Sequence, residues 1–222
     1  DGDPFAEYEA VFDAGAPFSD YLNVGALTSF GGPMRGFPSD HRLRSQVVVQ
    51  WGGWSGVLDY DARTQLGGVR DDESFDRTIV PVPRGVAVTG CAMNMAFRRE
   101  WTPMVWQLPL LDGRHNRWGD IWSGLFTKRV ADACGVVCVV NGKAQVRHER
   151  ASDPAANLAR EAPGVPVNEG LWDATWLPPW DSGRHTYRSV TDAAALHFRE
   201  WDAEYADHFL RARDEWLEMF RC

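Results

Sequence analysis

The stretch RWGDIWSGLFTKRVADACGVVCVVNGKAQVRH, residues 117–148, decides the fold. Its first half sets Ile121, Leu125 and Val130 at helical spacing across 120–133, with Asp120 near the N-terminus and Gly135 as the stop. Its second half changes period: 136–140 and 144–148 are strand-like runs about Asn141 and Gly142, a pair that predicts a type I′ hairpin turn. His148 then falls at a strand end, where side chains commonly enter sites. A helix running straight into strands indicates a layered α/β domain.

Working outward, QVVVQW at 46–51 predicts a buried strand, with the glycines after it as a turn. DYDARTQL at 59–66 predicts a loop or short helix, and 71–76 a small solvated acidic patch. Residues 86–89 and 94–97 are again strand-like and flank Gly90 and Cys91, and Asp153 with Pro154 opens a short helix through Glu161. A Pro- and Trp-rich loop is expected from there to about Arg188. Residues 189–220 place Val190, Ala194, Trp201, Tyr205, Phe209, Ala212, Trp216 and Phe220 on one face, which predicts one long helical tail docked on the body. At the other end, Phe5, Tyr8, Val11 and Phe12 predict a short helix stopped by Gly15 and Pro17. A Gly/Pro-rich loop at 25–44 follows and carries Arg35, His41, Arg42 and Arg44. The expected organisation is an α/β domain over 1–188 with a helical tail over 189–222.

The 222 residues are 44% hydrophobic and 24% charged, enough apolar material for a core, which excludes disorder and coiled coil as whole-chain readings. With 31 acids against 23 bases, the net charge of −8 disfavours nucleic acid and anionic membrane as partners. Only Lys128 and Lys143 among those bases are lysines, so nearly every cation is a guanidinium suited to bidentate grips on phosphate or carboxylate, although genomic base composition yields the same bias. No apolar run reaches the length of a membrane span, and DGDPFAEYEA lacks the regions of a signal peptide, so a cytosolic protein is expected. Cysteines 91, 134, 138 and 222 form no CxxC pair and are expected as inert, buried thiols. Eleven tryptophans are a surplus that serves either cores or the stacking of sugars and bases; Trp201 and Trp216, at helical spacing, are expected to pack.

No P-loop, GxSxG, HExxH or dinucleotide fingerprint is present. What remains is arginines, scattered aspartates, a strand-end histidine and aromatics, a set that suits an anionic, sugar-bearing ligand with a divalent cation.

Five blocks in order, MRGFP (34–38), DYDARTQL (59–66), CAMNMAFRRE (91–100), RWGDIWSGLFTK (117–128) and HERASDPAANLARE (148–161), resemble the reversibly glycosylated polypeptide family. The resemblance covers nearly the whole chain. It implies a glycosyltransferase A-like mixed sheet with flanking helices, a UDP-sugar as substrate, a divalent metal (manganese), and self-glycosylation on an arginine. Carried onto this sequence, it places the glycosylated arginine at Arg35 and a companion clamp at Arg42. Asp120 would be the acid/base or charge stabiliser, unless it merely caps its helix. Arg117 and Trp122 of the same block, with Asn94, are the substrate-binding candidates. His148 would contact metal or pyrophosphate, or else serve as a hydrogen-bonded structural residue. Asp59 and Asp61 have DxD form but fall in a block expected to be structural or sugar-facing, and Met93 and Met95 are expected in the core.

Two departures from the family pattern stand out. Gly119 occupies a position where the family has a second acid beside Asp120. The nucleotide-binding half that precedes the family's metal motif is expected to be absent from these residues, and Asp1 and Asp3, of DxD form, are expected either as a remnant of that motif or as an ordinary N-terminal loop. The expected activity is therefore a UDP-sugar mutase or glycosyltransferase, with a homologous chain or a missing N-terminal half as a possible partner. The alternative is a non-catalytic binding or assembly subunit of the same family.

Overall fold

The computed structural model describes residues 47–56, 59–68, 73–74, 79–109, 111, 117–149, 153–173 and 187–220. The expected N-terminal helix, the basic loop at 25–44, and with them Asp1, Asp3, Arg35 and Arg42, lie outside the described residues.

A mixed sheet forms one layer. Strand β1 (Val47–Gly56) pairs in parallel with β5 (Val137–His148) on one side. On its other side it pairs antiparallel with β4 (Met95–Phe97) near its start and with β2 (Glu73–Ser74) at its end. Strand β3 (Ile79–Pro81) closes the order β2–β1–β5–β3 by pairing antiparallel with β5. Parallel neighbours require a crossover, and helix α2 (Gly119–Cys134) supplies it. Around the sheet stand α1 (Ala62–Leu66), α3 (Pro154–Glu161), α4 (Val165–Trp172), α5 (Tyr187–Trp201) and α6 (Ala203–Glu218). This is the α/β arrangement of mixed sheet and flanking helices that the sequence predicts.

Helix α2 is the middle layer. Eleven consecutive residues are buried, from Trp122 to Asp132, so it has no solvent face for most of its length. Ala131 packs with Val48, Val49, Trp51 and Cys138 against the sheet. Trp122, Leu125, Phe126 and Val130 join Phe198, Tyr205 and Phe209 of the α5–α6 pair in the larger core. There Phe198 lies edge-on to Tyr205 at 5.2 Å and to Phe209 at 5.2 Å, geometry that adds to area burial. The helix ends where Gly135 takes φ 70°, a left-handed conformation that glycine adopts without strain.

Lys128 and Asp132 inside this layer are paired. Lys128 Nζ donates to Asp132 Oδ1 at 2.5 Å and to the Pro83 carbonyl at 3.0 Å, while Asp132 Oδ2 accepts from Gly85 N. Burial pushes the Asp132 carboxyl up, and the Lys128 hydrogen bond and charge oppose that rise.

Several elements differ from the sequence expectation. The glycines after Trp51 do not turn the chain: β1 runs through Gly52 and Gly53 to Gly56. The Asn141–Gly142 hairpin does not form either. The Asn141 side chain accepts from Lys143 N and Ala144 N, so the chain bulges at 142–144 and continues, with Asn141 opposite Gly52 and Gln145 opposite Gly53. Gly142 is not among the positive-φ glycines that a type I′ turn requires. Residues 86–89 form no strand, and the expected loop after Glu161 contains α4. The C-terminal segment is two helices rather than one, because the chain breaks at Asp202, whose carboxylate caps α6 by accepting from Tyr205 N. Met93 is exposed rather than buried, and Cys134 is an exposed thiol, whereas Cys91 and Cys138 are buried. Trp201 and Trp216 pack against the larger core as expected.

A methyl group at position 124 would stand 2.6 Å from Gly90 N and 3.0 Å from Gly90 O, both backbone atoms. Gly124→Ala should therefore force α2 away from the 90–94 segment and cost about 1–3 kcal/mol, read from urea denaturation. An unchanged midpoint would refute this close approach.

Candidate functional site

The N-terminus of α2 forms the floor of a cleft. A cavity of about 400 Å³ opens there, lined by Asp59, Arg117, Trp118, Asp120 and Glu161 among others. Each side chain is held by a local feature of the sequence. Asp59 lies two residues before Asp61, which caps α1 by accepting from Thr64 N and Thr64 Oγ1. That side-chain bond holds the Asp61 carboxyl below the usual range. Glu161 ends α3 and ties three elements together: its Oε2 accepts from Ala62 N, its Oε1 accepts from Arg117 Nη2 at 3.2 Å, and its carbonyl accepts from Trp118 Nε1.

Asp120 sits in the first turn of α2, where the cap position belongs to Trp118, so Asp120 is not the N-cap. Its Oδ1 accepts from Ile121 N, and its Oδ2 lies 3.4 Å from the Cys91 sulfur, which donates to it. The Asp59 charge also acts on this thiol, so the S–H that donates to Asp120 has a second carboxylate in its surroundings. Burial, together with these two charges, pushes the Cys91 thiol up to about 12. It is a protonated donor, not a nucleophile or a thiolate ligand. Although Asp59 is an exposed residue, its carboxyl is raised by partial desolvation first and by the Asp120 charge second, against the pull of Arg117, Cys91 and His148.

The structure thus brings together Asp120 and Arg117, and sets His148, at the end of β5 opposite Gly56, within electrostatic reach of Asp59. It does not bring in Trp122, which is 0% exposed in the core with its Nε1 donating to Asn168 Oδ1. Trp118, four residues earlier, takes the cavity wall instead. Asn94 also does not line the cavity. Its Nδ2 donates to the Gly53 and Ala144 carbonyls, which clamps β1 to the bulge of β5.

Glu161 and Cys91 escape a reading of the sequence alone. Glu161 carried a usable signal, since it falls three residues after Leu158 and so shares a helical face with an apolar side chain. Cys91 carried none. Among the described residues no group of three or more His, Cys, Asp or Glu is disposed to hold a metal ion, and Asp1 and Asp3 lie outside those residues. No described helix is long and apolar enough to cross a membrane.

Fold and site together define an α/β domain with an acid-paired, arginine-flanked cleft. The profile of the family described as "reversibly glycosylated polypeptide" matches residues 24–182, and the chain belongs to that family. Among its relatives, UDP-arabinopyranose mutase 1 of Arabidopsis thaliana is 32% identical over 163 residues, 71% of this chain and 43% of that protein. UDP-arabinopyranose mutase 1 of Oryza sativa subsp. japonica is 32% identical over 197 residues, 84% of this chain and 53% of that protein. The chain thus spans about half the length of the curated relatives it matches.

The raised Asp59 carboxyl has a consequence for stability. Between its ordinary value of 3.8 and its higher folded value, the folded state binds more protons than the unfolded state, so stability falls as pH rises through that window. Asp59→Asn should be more stable than the parent at neutral pH, with the advantage vanishing below about pH 3.8. Denaturant midpoints at both pH values check this, and equal midpoints at neutral pH would contradict it.

Proposed function

We propose that the cleft at the N-terminus of α2 handles the sugar of a UDP-sugar in a mutase of the reversibly glycosylated polypeptide type. The observation that carries this reading is the convergence of Asp59, Asp120 and Arg117 on one cavity, with Asp120 held by the Cys91 thiol. The names of the relatives support it, being UDP-arabinopyranose mutases.

Interconverting ring forms of a sugar held on UDP breaks the bond between the anomeric carbon and the diphosphate oxygen. The electron pair leaves with UDP and the sugar becomes cationic. A carboxylate beside that carbon stabilises the positive charge, which makes it more useful in the transition state than in the ground state. Asp120, fixed by Ile121 N and the Cys91 thiol, is the residue for that task. Asp59, whose carboxyl holds its proton to higher pH, is suited to exchange a proton with a ring hydroxyl. Arg117, oriented by Glu161, supplies positive charge toward the leaving diphosphate.

Arg35 as the self-glycosylated residue and Arg42 as a phosphate clamp extend the same reading to residues outside those described. A divalent ion such as manganese would draw on Asp1 and Asp3 with His148, and no step above passes through it. Gly119, where the family pattern has an acid, favours a second reading in which the site binds a nucleotide sugar without turning it over.

Calorimetric titration with UDP and a UDP-pentose, with and without manganese, tests the proposal. Arg117→Ala should weaken UDP-pentose binding about tenfold or more, as expected for a lost charged hydrogen bond, whereas Asp120→Asn should keep binding and lose ring interconversion by about tenfold or more. Undiminished binding in Arg117→Ala, or undiminished interconversion in Asp120→Asn, would sink it. Binding without ring interconversion by chromatography would favour the second reading.

A further inference from the structure

A second cavity, of about 430 Å³, reaches α1 and shares Asp61, Trp118, Ile121 and Glu161 with the first. Its own wall is formed by Arg63 of α1, Leu158 of α3, and Val165, Asn168 and Trp172 of α4. The size is within the range of small-molecule sites, about 300–1,000 Å³.

The lining specifies the ligand. Trp172 is 40% exposed and is the one exposed tryptophan among the described residues, the others being buried or half-buried. An indole face left open beside a cavity is a stacking platform. The polar groups around it are the Asn168 amide, two carboxylates, a guanidinium and the Thr64 and Thr89 hydroxyls, and the charges among them are already satisfied. Asp61 caps α1, and Glu161 accepts from Ala62 N and Arg117. Arg63 lies close enough to Asp61 to lower its carboxyl. Asn168 is held in place through its Oδ1, which accepts from Trp122 Nε1. A charge-balanced wall does not select an anion. Aromatic face plus planar hydrogen-bonding groups match a ligand with an apolar C–H face and a rim of hydroxyls.

We propose that the cavity between α1, α3 and α4 is a saccharide-binding subsite, in which a neutral sugar ring lies against Trp172 next to the cleft that holds the nucleotide sugar. The position of this sugar relative to a donor rests on the preceding functional reading; its binding to Trp172 does not. Two adjoining sugar sites separated by a shared wall give the chain a place for a glycan chain end beside an activated sugar.

Calorimetry with xylobiose, cellobiose and maltose on the full chain tests this, with Trp172→Ala and Leu158→Arg as variants. Both positions are exposed, at 40% and 37%, so neither change should disturb the fold, and unchanged thermal midpoints check that. The expected result is saccharide binding by the parent, weakened about tenfold or more in both variants, with UDP affinity unaltered. The proposal is overturned if no saccharide binds at tens of millimolar, if Trp172→Ala binds as well as the parent, or if UDP displaces the saccharide competitively. Should UDP fail to bind while the saccharide results hold, the nucleotide-sugar reading falls and the subsite stands.

Discussion

Helix α2 must bury almost its entire circumference, and the rest of the molecule is arranged to meet that requirement. A helix without a solvent face cannot be served by one layer. The sheet covers it around Ala131, and the α5–α6 pair covers it around Trp122 and Phe126. Its interior charges need internal partners for the same reason, and Lys128, Asp132 and the Pro83 carbonyl supply them. The tail helices are therefore half of the enclosure of the central helix, not an appendage.

The cleft follows from the same constraint. Because Gly124 lets α2 touch the backbone at Gly90, Cys91 is carried to Asp120 and its thiol donates to that carboxylate. Packing in the core thus sets the surroundings of an acid that lines the cleft. Glu161 does the equivalent on the far wall, where one carboxylate positions α1, Arg117 and Trp118 at once.

Legibility in the sequence tracked the range of the forces involved. Helices with local signals were readable to within a residue or two: Asp153 and Pro154 announce α3, and Gly135 announces the end of α2. Asn141–Gly142 misled because turn propensity is local while strand continuation is set by the neighbouring strand. The parallel partner β1 and the Asn94 clamp hold the bulge in line. The 52–53 glycines misled for a related reason, since burial on both faces can keep a small-residue run extended. In the site, one block of sequence carries Asp120 and Arg117, which line the cavity, together with the substrate-binding candidate Trp122, which lies in the core. The helical phase of its neighbours Leu125 and Phe126 already places it with the core. Cys91 was illegible, because its role depends on two carboxylates 32 and 29 positions away.

The bulge at 142–144 has a further consequence. Three residues of β5 stand between Asn141 and Gln145, while their partners Gly52 and Gly53 are adjacent, so the ladder beyond the bulge is displaced along its own chain. Asn94 grips both Gly53 and Ala144 at this displacement, and the segment it belongs to begins with Cys91. The irregularity works as a vernier: it sets how far β5 advances past β1, and so decides that the residue arriving opposite Gly56, at the sheet's rim, is His148.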